Sequence, residues 1–153
     1  MGNVPISRGM RMKILVAVDG SKTSLEAVDW LVAHADWYRK PPAVELITVH
    51  HPVSNLTRSA LRIKKAELTR WYREQGEANL AKAKRKLHKA KLHFRSHVLV
   101  GPAAETIVRH AAKSKCDLIV LGSSGMGAAG SLLAASVAAK VLDLATLPVL
   151  IAR

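Results

Sequence analysis

The stretch DLIVLGSSGMG, from Asp117 to Gly127, carries the clearest structural signal in the sequence. Its first half is a short aliphatic run with β-branched residues, which is typical of a strand buried on both faces of a sheet. Its second half begins a run rich in glycine and serine that continues to Ser131. In open parallel sheets, ligands bind where strands end in such loops. The stretch therefore predicts an α/β protein with a candidate binding loop after this strand.

Four other segments have the same apolar character and predict further strands, at residues 13–18, 44–49, 94–100 and 148–152. Segments with helical periodicity separate them. Four helices are predicted. The first begins with a Thr23–Glu26 capping box, the second is long and lies at 59–91, and the other two lie at 103–113 and 136–144. In the long helix, Gly76 predicts a kink or a break.

This alternation of strands and helices predicts one doubly wound, mainly parallel five-stranded sheet with helices on both faces. The 153 residues suffice for one domain, which we place at residues 13–153 after an N-terminal extension at 1–12. Apolar residues make up 49% of the chain and charged residues 23%. That composition excludes a disordered tail, a collagen-like fibre and a disulfide scaffold.

Two loops at the predicted carboxyl ends of strands have unusual chemistry, Asp19-Gly20-Ser21 and the glycine loop that starts at Gly122. Glycine N–H groups can converge on phosphate oxygens, which favours an anion-binding loop over a plain connection. The loop matches neither the Walker A pattern nor GxGxxG. Asp19 has two interpretations, a contact to a ligand or a carboxylate that caps the next turn.

These segments together resemble the universal stress protein family, through VAVDGS at 16–21, DLIVLG at 117–122, the glycine loop, Ser136-Val137 and LPVL at 147–150. The resemblance covers residues 13–153. It implies an adenine nucleotide alpha hydrolase-like sheet of order 3-2-1-4-5, in which Asp19 and Gly122 line one crevice. It also implies a homodimer in which the last strands, Pro148–Ala152, meet about a two-fold axis.

ATP-binding members of that family carry a glycine, two residues, a glycine, nine residues and then Gly-Ser or Gly-Thr. This chain has Gly122, Gly125 and Ser136 at the matching places, with Ala135 where the family has its last glycine. By resemblance the ligand is ATP, or else AMP or ADP, and the need for Mg²⁺ is left open. The implied site residues are Asp19 and Val49 at the adenine, Gly122, Ser123, Gly125, Met126 and Gly127 along the ribose and phosphates, and Ala135, Ser136 and Val137 at the phosphate end.

No arrangement of residues predicts strong catalysis. Asp19 is the only acidic residue that the predicted fold clearly places at the crevice, and phosphoryl transfer also needs a base and a metal site. His50 and His51 follow the second strand and are interpreted as a polar loop pair, with a ligand contact or a metal site as alternatives. We therefore expect a binding protein that regulates or senses stress, with at most slow ATP hydrolysis or autophosphorylation.

The charge is the unusual part of the composition, at +13 from 24 Lys+Arg and 11 Asp+Glu. A basic segment, residues 58–95, contains thirteen Lys and Arg and three Glu, so it carries +10 of that total. Its alternatives are a solvated face, a surface for nucleic acid or polyphosphate, and a surface for an acidic protein or membrane. Trp71 and Tyr72 within it, and Trp30 with Trp37 on the first helix, are interpreted as packing residues.

The remaining signals concern the compartment. Cys116 has no partner for an intramolecular disulfide and is interpreted as a small buried or half-buried residue. No segment approaches the length of a membrane span, and residues 1–11 lack the apolar stretch of a signal peptide. The sequence therefore predicts a cytoplasmic protein without a membrane span.

Overall fold

The computed structural model describes residues 11–123 and 132–153. For residues 132–136 it describes the backbone but not the side chains. The strands are β1 (Lys13–Ala17), β2 (Ala43–His50), β3 (His93–Val100), β4 (Leu118–Gly122) and β5 (Val149–Ala152). The α-helices are α1 (Lys22–Ala33), α2 (Asn55–Ala60), α3 (Lys65–Lys89), α4 (Ala103–Lys113) and α5 (Leu132–Leu144), with a 3₁₀ turn at Ala35–Trp37.

The five strands form one sheet in the order β3-β2-β1-β4-β5, and every neighbouring pair is parallel. Strand β1 lies at the centre, where Val16 is in register with Leu46 of β2 and Val120 of β4. Each connection between strands passes through a helix, as parallel pairing requires. The fold predicted from the sequence, a doubly wound α/β sheet of order 3-2-1-4-5, is confirmed. The placement of the domain at 13–153 stays a prediction.

The alternation of side chains along β1 explains why both faces of the sheet carry helices. Ile14, Val16 and Val18 point to one face, where they pack with apolar residues of α1 and α3. Leu15 and Ala17 point to the other face and pack with apolar residues of α4 and α5. All five side chains are buried. A strand that is apolar on both faces is stable only between two layers of helices.

The predicted helix over 59–91 is wrong in its first part and in the role of Gly76. The chain forms α2, then leaves the helical conformation at Arg62, whose φ is 51°, and starts α3 at Lys65. Gly76 lies inside α3 and does not end it. Its role is to let the helix pack closely against β3, since a Cβ there would lie 2.4 Å from both Val98 methyl groups. Among the described residues no helix is long and apolar enough to cross a membrane.

The start of α1 also differs from the prediction. The N-cap is Ser21, whose hydroxyl accepts from the Ser24 N–H at 3.1 Å, and Thr23 and Glu26 lie inside the first turns of the helix. The capping box predicted for Thr23 and Glu26 is therefore wrong. Ser21 is the better cap because its extended backbone, with ψ at 157°, aims its side chain at the free N–H groups of the first turn.

Candidate functional site

The crevice that the sequence predicted is defined by the ends of three neighbouring strands. Asp19 lies two residues after β1, Gly122 ends β4, and Val49 is the second-last residue of β2. Because the strands are parallel, these three positions share one edge of the sheet. The order of the strands reverses between β1 and β4, which is where open α/β sheets bind ligands. Asp19, Val49 and Gly122 thus lie at the switch point of the sheet.

Asp19 caps the turn between β1 and α1. Its Oδ1 accepts the Ser21 N–H at 2.9 Å, and its own N–H donates to the Ser24 hydroxyl at 3.2 Å. The first of these bonds confirms the capping interpretation, since it is the one that involves the carboxylate. It occupies only Oδ1, and the side chain is half-buried. Among the residues that the structure describes, Oδ2 has no hydrogen-bond partner and remains able to accept one from a ligand.

The next residue, Gly20, brings a polar side chain of α3 to this loop. Gly20 has φ of +83°, and a Cβ on it would lie 3.2 Å from both Cα and Oδ1 of Asn79. Asn79 is half-buried beside the loop and offers both a donor and an acceptor. Asn79 was not predicted from the sequence, because nothing in the pattern of the basic segment marks a residue that faces the neighbouring loop.

Gly122 has a packing role that the motif does not reveal. A Cβ on Gly122 would lie 2.2 Å from the carbonyl oxygen of Thr23 and 3.1 Å from Cα of Ser24, both in the first turn of α1. The end of β4 therefore touches the backbone of α1 directly. Ser123, half-buried, continues the sheet pairing through a 2.9 Å bond from its N–H to the carbonyl of Ala152. Glycine at 122 is needed for this close approach, whatever else it contacts.

The phosphate end of the predicted site falls on α5. That helix begins at Leu132, so the predicted start at Ser136 is wrong, and Ala135 and Ser136 lie in its first turns. Helical backbone has negative φ, a conformation that alanine favours. Val137 is the sixth residue of α5, and its half-buried side chain packs on the same apolar cluster as Val49. Three other predicted site residues, Gly125, Met126 and Gly127, lie outside the described residues.

His50 and His51 lie in different environments. His50 is the last residue of β2 and is half-buried, with its ring 5.5 Å from that of Tyr72 and 5.9 Å from that of Trp71. Burial lowers the pKa of His50, so its neutral form is favoured, and among the described residues its Nε2 has no hydrogen-bond partner. His51 is exposed. The prediction of a polar loop pair is wrong for His50, because it is in register with Val100 of β3 and its carbonyl accepts the Gly101 N–H, so the strand continues through it.

An open groove of about 550 Å³ lies elsewhere, between α3 and the edge strand β3. Its lining includes the apolar side chains of Leu68 and Val98, the ring of Tyr72, and the cations Arg58 and Arg73. The interpretation of the aromatic residues as packing residues is confirmed for Tyr72, which is 9% exposed, and for the half-buried Trp30, whose ring stacks on that of His34. Trp71 and Trp37 also contact neighbouring rings, but they are 49% and 72% exposed. The groove and the exposed Trp71 belong to the basic segment rather than to the crevice.

Cys116 is half-buried against the apolar cluster of α4 and α5. Burial, followed by the nearby Glu45 carboxylate, raises the pKa of its thiol to about 11. Since the thiolate is the reactive form, this thiol is a weak nucleophile at neutral pH. The interpretation of Cys116 as a packing residue is confirmed.

Comparison with known sequences finds universal stress proteins, both as a family model and as individual relatives. The model of the universal stress protein family matches residues 10–153. Universal stress protein YxiE of Bacillus subtilis is 32% identical over 149 residues, with 92% of this chain and 98% of the relative covered. Universal stress protein MJ0531 of Methanocaldococcus jannaschii is 29% identical over 142 residues, with 92% of this chain and 81% of the relative covered.

Solved structures with the same fold cover nearly the whole chain. Hypothetical protein MJ0577 superposes with a TM-score of 0.76 at 25% identity, over 94% of this chain and 96% of that one. A universal stress protein in complex with cAMP has a TM-score of 0.63 at 23% identity, over 94% and 97%. The universal stress protein of Archaeoglobus fulgidus in complex with dAMP has a TM-score of 0.60 at 24% identity, over 93% and 98%.

Proposed function

Because the chain belongs to the universal stress protein family, we propose that it binds an adenine nucleotide and acts as a dimeric stress-response regulator or sensor in the cytoplasm. ATP is the proposed ligand, with AMP and ADP as alternatives. The observation that carries this proposal is the placement of Asp19 and Gly122 at the β1–β4 switch point of the sheet. Neighbours of the same fold were solved with cAMP and dAMP, which supports an adenine ligand.

At the adenine end, the proposal uses Asp19 and Val49. The Asp19 carboxylate holds its own turn through Oδ1, so Oδ2 would accept a hydrogen from the exocyclic amine of adenine. Val49 is half-buried at the end of β2 and would give the ring an apolar contact. Gly122 and Ser123 would lie along the ribose, with Gly125, Met126 and Gly127 following toward the phosphates.

At the phosphate end, the proposal changes the donors that the sequence suggested. In a helix that starts at Leu132, the helical residues whose N–H groups have no partner inside the helix are the first three, 132–134. The N–H of the fourth residue bonds to the N-cap carbonyl, as that of Leu25 does in α1. These groups and the Ser136 hydroxyl would hold the phosphate oxygens, aided by the positive end of the helix dipole. The N–H of Val137 is the fifth after that of Leu132 and bonds within a regular helix, so Val137 would contribute packing only.

Replacing Asp19 by asparagine separates capping from ligand binding. Asparagine keeps a carbonyl oxygen for the Ser21 N–H but puts an NH₂ group where Oδ2 would accept from adenine. We expect Asp19→Asn to weaken ATP binding about tenfold, the usual cost of losing a hydrogen bond to a charged group. Isothermal titration calorimetry on the full chain, with and without Mg²⁺, measures this and shows whether the ion contributes.

Asp117→Asn is the matched control. Asp117 also accepts a backbone N–H, that of Lys13 at 2.8 Å, but it lies before β4 at the opposite end of the sheet. Asp117→Asn should leave ATP affinity unchanged.

Nucleotide released by denaturing the purified protein would support the proposal independently. No released nucleotide, together with no heat of binding for ATP, ADP or AMP at millimolar concentration, would refute it.

We also propose that the dimer forms through β5. This strand pairs with β4 on one side, and within the described residues no strand covers its other side. Two large apolar side chains at the end of α5, the helix that precedes β5, are exposed, Leu142 at 53% and Leu144 at 41%. An uncovered edge beside apolar surface favours pairing with a second copy.

The dimer is tested by replacing Ile151 with proline. The carbonyls of Pro148 and Ala152 face β4, so the N–H of Ile151 lies on the uncovered side of β5, where proline is tolerated. Sedimentation at micromolar concentration is expected to show a dimer for the wild-type chain and a monomer for Leu142→Lys/Leu144→Lys, which spares the strand itself. Circular dichroism checks that each variant is folded. A wild-type chain that sediments as a monomer would contradict the proposal.

A second candidate function is supported by the basic segment, which would bind an acidic partner or nucleic acid. The exposed residues of α3 include Lys82, Arg85 and Lys89, whereas Lys84 and Lys86 form ion pairs with Glu77 and Asp29. Within the described part of the chain these three cations have no ion-pair partner, and with the exposed Trp71 they offer a polyanion both charge and a stacking surface. This function does not need nucleotide in the crevice.

A further inference from the structure

Three side chains from three different elements meet on the face of the sheet that α4 covers. Glu45 is in the middle of β2, His97 is on β3 and His110 is on α4. The Nε2 atoms of His97 and His110 lie 2.8 Å and 3.3 Å from the same atom, Oε2 of Glu45. None of the three residues belongs to the crevice at the strand ends.

Glu45 is the unusual member of this cluster. It is the one charged residue in the mainly apolar stretch VELITV, and it is only 5% exposed. Its side chain points to the same face as Ile47, which is fully buried among residues of α4 and α5. A buried carboxylate is costly unless charge or hydrogen bonds compensate it. Here both compensating groups are imidazoles directed at one oxygen, which is also a set of ligands for a metal ion.

The geometry points to a metal site, and we propose that Glu45, His97 and His110 bind a divalent cation of the zinc class. Two imidazole nitrogens and one carboxylate oxygen are the donor set of His₂Glu zinc sites. The three donor atoms lie within 4.8 Å of one another. Ligands about 2.0–2.1 Å from a tetrahedral ion are about 3.4 Å apart, so only small side-chain shifts are needed to admit the ion. A hard cation such as Mg²⁺ prefers oxygen ligands and fits this set poorly.

The surroundings supply a fourth ligand and a route of entry. The Ser114 hydroxyl lies 3.2 Å from Nε2 of His110, so it or a water molecule would complete the coordination. The His97 side chain is 35% exposed, whereas those of His110 and Glu45 are 13% and 6% exposed. The cluster is therefore open to solvent on the side of the edge strand β3. An ion that enters there would replace the hydrogen bonds between the imidazoles and the carboxylate.

The test uses the full chain without a histidine tag, freed of metal, and titrated with Zn²⁺ or Co²⁺. We expect one ion per chain, a visible Co²⁺ absorption typical of four or five ligands, and competition between the two ions. Zinc at about 100 times its dissociation constant should raise Tm by roughly 5–10 °C, because only the folded chain assembles the site.

Two variants test the ligands without emptying the core. His97→Gln alters the most exposed ligand, and Glu45→Gln keeps the size of the side chain and its ability to hydrogen-bond. Each should weaken zinc binding at least tenfold, since even the loss of an outer-shell partner costs about 10–100-fold. His93→Gln, on the same strand but exposed and outside the cluster, is the matched control and should bind like the wild-type chain.

The outcomes separate a metal site from a hydrogen-bonded cluster. Folded variants that lose zinc binding and the zinc-dependent rise in Tm, while His93→Gln keeps both, support the proposal. It is overturned if the wild-type chain shows no saturable binding at millimolar zinc. It is also overturned if Glu45→Gln and His97→Gln bind as tightly as the wild-type chain, because the ion would then be held by other histidines.

Discussion

Gly122→Ala is expected to lower the free energy of unfolding by about 3 kcal/mol, at the upper end of the usual cost of overpacking. The added methyl group would lie 2.2 Å from the carbonyl oxygen of Thr23, where it can fit only if β4 and α1 move apart. For a domain of this size the loss corresponds to a fall in Tm of about 6–12 °C. Thermal and urea unfolding followed by circular dichroism measure it.

Gly76→Ala is the matched control, because it also adds a methyl group to a buried glycine at an interface. There the methyl group would meet the two methyl groups of Val98, which belong to a side chain on an edge strand rather than to backbone. Alanine also gains about 1 kcal/mol in helix propensity over glycine. We therefore expect Gly76→Ala to cost clearly less than Gly122→Ala. Equal losses, or a Gly122→Ala protein as stable as wild type, would contradict the packing role of Gly122.

This prediction separates two reasons for a glycine in the same motif. The resemblance assigns Gly122 to the ribose and phosphates, whereas the structure shows that α1 requires a glycine there in any case. A stability loss in the absence of nucleotide measures the packing role alone. The ATP affinities of Gly122→Ala and of the wild-type chain must then be compared at a temperature at which both proteins are folded.

The topology was predictable because every strand carries its own signal. β1 and β4 are continuous apolar runs, and the segments between strands have helical periodicity, so only a parallel sheet with crossover helices fits. The break between α2 and α3 was not predictable in the same way. It occurs at Arg62, a residue without helix-breaking character, whose left-handed backbone only the structure reveals.

The part of the candidate site that depends only on topology, the residues at the strand ends, was predictable from the sequence. Parallel strands place Asp19, Val49 and Gly122 at one edge of the sheet without knowledge of any side-chain contact. Asn79 and the Glu45 cluster depend on contacts between distant parts of the chain. Glu45 is 52 positions from His97 and 65 positions from His110 in the sequence. A charged residue inside an apolar strand was the one signal of that cluster, and it did not identify its partners.

Arg85→Glu/Lys89→Glu is expected to weaken binding to a short DNA duplex about 100-fold near 0.1 M salt, if the basic segment binds polyanions. Each phosphate contact contributes about 0.9 to the slope of log K against log salt, or nearly tenfold at that concentration. Both side chains are exposed, four residues apart on α3. The slope should also decrease by about 2. Fluorescence anisotropy at several salt concentrations measures both quantities.

Arg109→Glu/Lys113→Glu is matched to that variant in change of charge, exposure and spacing, and differs from it in place. Both pairs are exposed, four residues apart and end in the last turn of a helix, but α4 covers the opposite face of the sheet. Both variants remove four units from the net charge of +13. Equal losses would mean that the duplex responds to overall charge and would contradict a binding surface on α3. A loss confined to Arg85→Glu/Lys89→Glu would locate the surface on α3, since long-range charge is the same in both variants.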